Sequence, residues 1–153
     1  MWLEATRFPA TVPVTLRLER VETEADWEAM YALRLQIEKP FGNTNPRLVE
    51  GFVEDIRKKA RALDGSWFLA RAGSDIVGEI GLVPFELAGV RFGRLQDVDI
   101  APQWQGRGLG RELLSAVCQV ARDMELSALA LRARSDGWVK DWYARFGFRR
   151  VDS

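Results

Sequence analysis

The chain has 153 residues, 47% hydrophobic and 29% charged, with 22 basic and 22 acidic side chains and a formal net charge of zero. This is the balance of one soluble globular domain with a proper core, and it argues against a dedicated nucleic-acid binder. With no histidine and the single Cys118, the chain cannot supply a Ser-His or Cys-His pair, a multi-cysteine metal centre or an internal disulfide, and no metal is expected.

The start, Met1-Trp2-Leu3-Glu4, lacks the basic-then-apolar pattern of a secretory signal, and no run nears the roughly 20 apolar residues of a membrane span. A cytoplasmic protein without membrane contact is expected. Residues 1–13 read as a leader with strand-like side chains, and 14–153 as one α/β domain. Val14–Val21, "VTLRLERV", alternates as a half-buried strand does. Thr23 and Asp26 have capping-box spacing, and Trp27, Met30, Tyr31 and Leu35 mark the face of a first helix. After the turn-rich "EKPFGNTNP", Asn45 caps a second helix with Pro46 at its first position. Leu48, Val49, Phe52, Val53, Ile56, Ala60 and Leu63 form its expected buried face, and Gly65 its stop. The basic run "RKKAR" (Arg57–Arg61) lies on this helix. Glu54 and Asp55 precede Lys58 and Lys59 by four residues, so helix-surface pairing accounts for it.

Two strands follow around Gly73-Ser74-Asp75, then a third, "RFGRLQDVDIA". Leu109, Leu113, Val117, Val120 and Met124 keep a helical period, and Cys118 reads as a buried apolar residue of that helix. "LSALALRA" is a compact buried strand, "GWVKDWYARF" a short helix and "GFRRV" a last strand. The predicted order is β-α-α-β-β-β-α-β-α-β, with a mixed central sheet flanked by helices.

The stretch "PQWQGRGLGREL" (Pro102–Leu113) places glycines at 106, 108 and 110 where a helix must begin, although glycine supports helices poorly. A strand, a glycine turn and a helix make an anion site, because the first helical amides lack partners and the dipole favours negative charge. Arg107 and Arg111 add charge-assisted donors. Residues 91–153 carry 11 basic and 8 acidic side chains, against 11 and 14 over 1–90, which also favours a polyanion near the second half. The P-loop signature is absent, since no Gly-Lys-Ser/Thr occurs. The dinucleotide fingerprint fails too, because its third glycine falls on Arg111.

Gln105-Gly106-Arg107-Gly108-Leu109-Gly110 resembles the [RQ]-x-x-G-x-[GA] loop of the GNAT superfamily of acyl-CoA-dependent N-acyltransferases. Tyr143-Ala144-Arg145-Phe146-Gly147-Phe148 resembles its Y-x-x-x-G-F, and the element order agrees over about 14–151. The resemblance implies a GNAT-like fold whose strands around 95–101 and 127–133 splay apart to admit the pantetheine arm of acetyl-CoA, the co-substrate. It implies that backbone groups of Val98 and Ile100 bond that arm and that amides from Gln105 to Arg111, including those of Gly106, Arg107, Gly108, Leu109 and Gly110, hold the pyrophosphate.

The implied reaction is direct attack of a primary amine, on a small molecule or a peptide, with the Ile100 amide as oxyanion donor and Tyr143 as general acid. The family's usual base positions fall on Gln96 and Arg94, and neither is a base. Asp97 is the named candidate, with Asp99, Glu79 and a water held by Gln96 as alternatives; alternation points Asp97 and Asp99 away from the cleft unless a bulge intervenes. Asp136 stands where relatives carry an asparagine beside the pantetheine. Glu38, in the acceptor-side segment "YALRLQIEKPFG", is placed to meet an amine. Relatives continue past the last strand into another, so an open edge is expected, covered by the leader in its own subunit or in a homodimer partner. The rival reading is a non-catalytic acyl-CoA-binding or sensing module.

Overall fold

The computed structural model describes residues 1–9, 15–42, 45–132 and 138–150. Thr23 begins the first helix as its spacing predicts. Its hydroxyl accepts from the Asp26 amide at 3.1 Å, and the Asp26 carboxylate accepts from the Thr23 amide at 2.9 Å, closing a capping box with Asp in the usual Glu role. This helix, α1, spans Glu24–Glu38 and runs into a 3-10 turn over Lys39–Phe41. Asn45 caps α2, Pro46–Ala62, by accepting from the Arg47 amide at 3.0 Å.

The strands are β1 (Trp2–Glu4), β2 (Arg17–Arg20), β3 (Ser66–Ala72), β4 (Asp75–Leu87), β5 (Val90–Ile100) and β6 (Ala128–Ala130). Two more helices complete the fold, α3 over Leu109–Asp123 and α4 over Trp138–Phe146. One six-stranded sheet runs in the order β1-β6-β5-β4-β3-β2, antiparallel except for β5 with β6. Met30, Leu33, Ile37, Val53 and Ile56 of α1 and α2 pack with Trp67, Leu69 and Val83 on one face. Leu113, Leu114, Val117 and Ala121 of α3 pack with Ile80, Leu82 and Leu95 on the other, joined by Tyr143 and Phe148. Cys118 is buried there, its thiol pushed up to about 12 chiefly by burial. Among the described residues no helix is long and apolar enough to cross a membrane.

Several expectations shift. Among the described residues the expected last strand is a single bridge, Arg149 with Trp2. The leader's Trp2–Glu4 enters the sheet of its own chain, with Leu3 opposite Leu129. The α1 face is rotated, burying Met30, Leu33, Arg34 and Ile37 while Trp27, Tyr31 and Leu35 are only half-covered. On α2 only Val49, Val53 and Ile56 are buried; Leu48 and Phe52 remain 65% and 40% exposed. The basic run engages α1 through Arg57, which bonds Glu24 and stacks over Trp27. Asp64, not Gly65, takes the left-handed conformation after α2.

Candidate active site

The parallel pairing of β5 with β6 covers only Phe92–Arg94, while β5 continues to Ile100. The strands therefore part, and the far end of β5 has an open edge. Ala101 donates to the Val77 carbonyl at 2.8 Å, so strand alternation turns the backbone groups of Ile100, one residue before, away from β4 toward the gap. The Ile100 carbonyl accepts from the Gln105 side chain at 3.0 Å, which ties the strand end to the loop.

After a 3-10 turn at Pro102–Trp104, Gly106 and Gly108 adopt φ of 78° and 76°, a left-handed geometry that favours glycine. Gly108 is the N-cap of α3 and supplies no side-chain cap, so the first amides of the helix keep no side-chain partner. Gly110 serves packing instead: a Cβ there would lie 3.0 Å from the Trp142 ring. Arg111 lines the cleft. Arg107 stacks over Trp104 at 4.7 Å and donates to the Gln103 carbonyl.

A cavity of about 650 Å³ opens here, bounded by Val98, Asp99 and Ile100, the loop, the start of α3, Ile37 of α1, Pro40 and Phe41 of the turn after it, and Val139, Trp142 and Tyr143 of α4. Tyr143 is buried among Trp142 and Phe148 in edge-on contacts of 5.0 and 5.6 Å. Burial, with the nearby Asp99 charge added, pushes its phenol up to about 12.

The register of β4 and β5 slips between Glu79 and Gly81, which face Asp99 and Gln96. Asp97 and Val98 together oppose Ile80, a β-bulge in which Asp97 takes φ of 51°. The bulge comes close to β4, where a Cβ on Gly78 would meet the Asp99 carbonyl at 2.4 Å. The Asp97 carboxylate accepts from the Trp67 indole at 3.3 Å, beneath α1 and α2. It is Asp99 whose side of the strand lines the cavity.

Asp99 belongs to a cluster with Glu79 and Glu38, each named from the sequence, whose centre is Arg34, which was not. Arg34 Nη1 donates to Asp99 Oδ2 at 2.6 Å and to Glu79 Oε1 at 2.9 Å, and Arg34 Nη2 bonds Glu38. Glu79 is fully buried, and its Oε2 has no hydrogen-bond partner. Burial drives the Glu79 carboxyl well above the usual carboxylate range, opposed by Arg34 and reinforced by Asp99 and Asp97. Burial likewise raises Asp99, again against Arg34. Burial works against the Arg34 charge too, but the surrounding carboxylates more than offset it, and its pKa is raised. Arg34 carried no sequence signal beyond its helical spacing from Met30 and Ile37. Asp136 lies outside the described residues.

An open-edged strand, a bare helix N-terminus and a buried phenol meet in one cleft. A family model described as "Acetyltransferase (GNAT) domain" matches residues 64–150, and the chain belongs to the GNAT family of acetyltransferases. It is 28% identical over 101 residues to the mouse (Mus musculus) "Probable N-acetyltransferase family 8 member 5", covering 65% of this chain and 44% of that protein; the chain thus spans under half the length of that relative. An acetyltransferase structure from Trypanosoma brucei superposes with TM-score 0.67 at 22% identity, over 90% of this chain and 95% of the other. An aminoglycoside acetyltransferase from an uncultured soil metagenomic sample, in complex with sisomicin, gives TM-score 0.68 at 20% identity, with 91% of each chain covered. At these identities the two structures share the fold.

Proposed function

We propose that the protein is a cytoplasmic N-acetyltransferase that moves an acetyl group from acetyl-CoA to a primary amine by direct attack, with residues 14–153 carrying the activity. The observation that carries this reading is the uncapped start of α3, set by Gly106 and Gly108 at the end of the parted strands. The site fits the nucleotide thioester: amides from Gln105 to Arg111 and the Arg111 side chain would hold the diphosphate, and the open edges of Val98 and Ile100 would bond the pantetheine. Acetyl-CoA supplies an activated acyl group.

The chain's own residues do the rest. Asp99, lining the cavity with a raised pKa, takes one proton from the incoming ammonium, a role it suits better than Asp97, which is bonded to Trp67. The Ile100 amide faces the gap where charge collects on the acyl oxygen. One N–C bond forms and one C–S bond breaks, and a second proton leaves nitrogen through solvent for the sulfur. Tyr143, at about 12, holds its proton more tightly than a thiol near about 8.5 does. It therefore acts by donating a hydrogen bond to the leaving sulfur rather than by surrendering its proton.

Tyr143→Phe tests the reading. Thiol release should fall roughly a hundredfold while coenzyme A affinity, measured by calorimetry, is retained. Coenzyme A binding without thiol release from any amine by the wild type would point to a sensing module, and no binding at all would overturn the site.

A further inference from the structure

The cleft is chemically divided. At the loop end its one cation among the described lining residues is Arg111, and at the other end its one carboxylate is Asp99. Among the described lining residues the acceptor end is otherwise apolar, with Ile37, Pro40, Phe41 and Val139 as its walls. Phe41 is 77% exposed, a large aromatic held at the mouth by the Lys39–Phe41 turn, where nothing in the fold requires it. Phe52 adds a second ring, lying over the Arg34 guanidinium at 4.5 Å and screening that charge from solvent.

The charge at this end is small. Arg34 is shared among Glu38, Glu79 and Asp99, and of these four groups only Asp99 lines the cleft. A single ammonium pairs with that carboxylate; a second or third would be drawn across apolar walls where, among the described lining residues, no other carboxylate stands to meet it.

Resting on the acetyltransferase reading, we infer that the acceptor is a monoamine on an apolar body, of the arylalkyl or alkylamine class, with its ammonium against Asp99 and its body on Ile37, Pro40, Phe41 and Val139. Phe41 is then a specificity-determining residue, since apolar contact at a pocket wall separates substrates by about tenfold or more.

The test compares thiol release from acetyl-CoA with 2-phenylethylamine, 2-aminoethanol, spermidine and kanamycin, for the wild type and for Phe41→Ala. The expected result is a kcat/KM for 2-phenylethylamine about tenfold or more above each of the others. In Phe41→Ala most of that margin disappears through KM, while calorimetry shows unchanged coenzyme A affinity. The exposure of Phe41 keeps the substitution harmless to the fold. Equal or better use of spermidine or kanamycin, an undiminished margin in Phe41→Ala, or no release from 2-phenylethylamine with coenzyme A bound overturns the inference alone. Failure to bind coenzyme A instead overturns the acetyltransferase reading beneath it.

Discussion

Glu79 is fully enclosed, yet the guanidinium it bonds also serves Asp99 and Glu38. Its pKa is raised above the ordinary 4.5, first by burial. Between that value and its folded pKa, the folded protein binds a proton that the unfolded chain releases. Its contribution to stability is therefore complete below about pH 4.5 and is lost as pH rises through the folded pKa. Glu79→Gln is expected to melt with the wild type in acid and above it at about pH 8, read by thermal unfolding across that range. A variant that melts lower at the alkaline end would mean an ionised, paired Glu79. At this scale legibility was uneven. Tyr143 announced itself by the motif around it and lines the cleft. Simple alternation turned Asp97 and Asp99 alike from the cleft, and the bulge at Asp97 interrupts it; a bulge leaves little mark on the residues that form it. Arg34 was hidden because a charged residue on a helix is ordinarily read as solvent-facing, and only the waiting carboxylates on β4 and β5 make its burial tolerable.

The loop between β5 and α3 separates conformational need from steric room. A Cβ on Gly108 would find no atom within 4 Å, but its φ of 76° is one that other residues adopt at a cost of about 1–2 kcal/mol. Gly108→Ala should therefore lower stability by about that amount and weaken coenzyme A binding by more, because the added methyl stands beside the bare amides. Melting and calorimetry on one preparation separate the two effects. The loop's backbone was readable in part: Gly106 and Gly108 take the left-handed φ that glycine favours, while Gly110 answers to packing against Trp142. The second helix was readable only in outline. Its apolar periodicity is genuine, but the sheet accepts just the Val49, Val53 and Ile56 strip, and the adjoining Leu48 and Phe52 stay outside. Periodicity tells that a helix has an apolar side, not how wide its partner is. β6 was similarly overdrawn: of residues 126–132 only Ala128–Ala130 form a strand, because the pairing with β5 stops at Arg94.

Across the whole molecule, the order of elements from β2 to α4 and the mixed sheet follow from local patterns, each agreeing with the same architecture. Which strands sit side by side does not, since β1 owes its place to a distant segment. Leu3 is 1% exposed and packs into the core shared by α3 and α4, while Trp2 lies on Phe92 at 4.7 Å. Leu3→Ala is expected to cost about 2–5 kcal/mol, measured by chemical denaturation, a loss ordinary for a central strand and large for a leader.

That wedge also bears on biosynthesis. On a translating ribosome, Trp2 and Leu3 emerge with no strand to receive them until Leu129 and Ala130 have followed, and the Arg149 bridge comes later still. The nascent polypeptide must carry a greasy, unpaired segment until Leu129 and Ala130 have been made, and this seam of the sheet is sewn further only when Arg149 has followed.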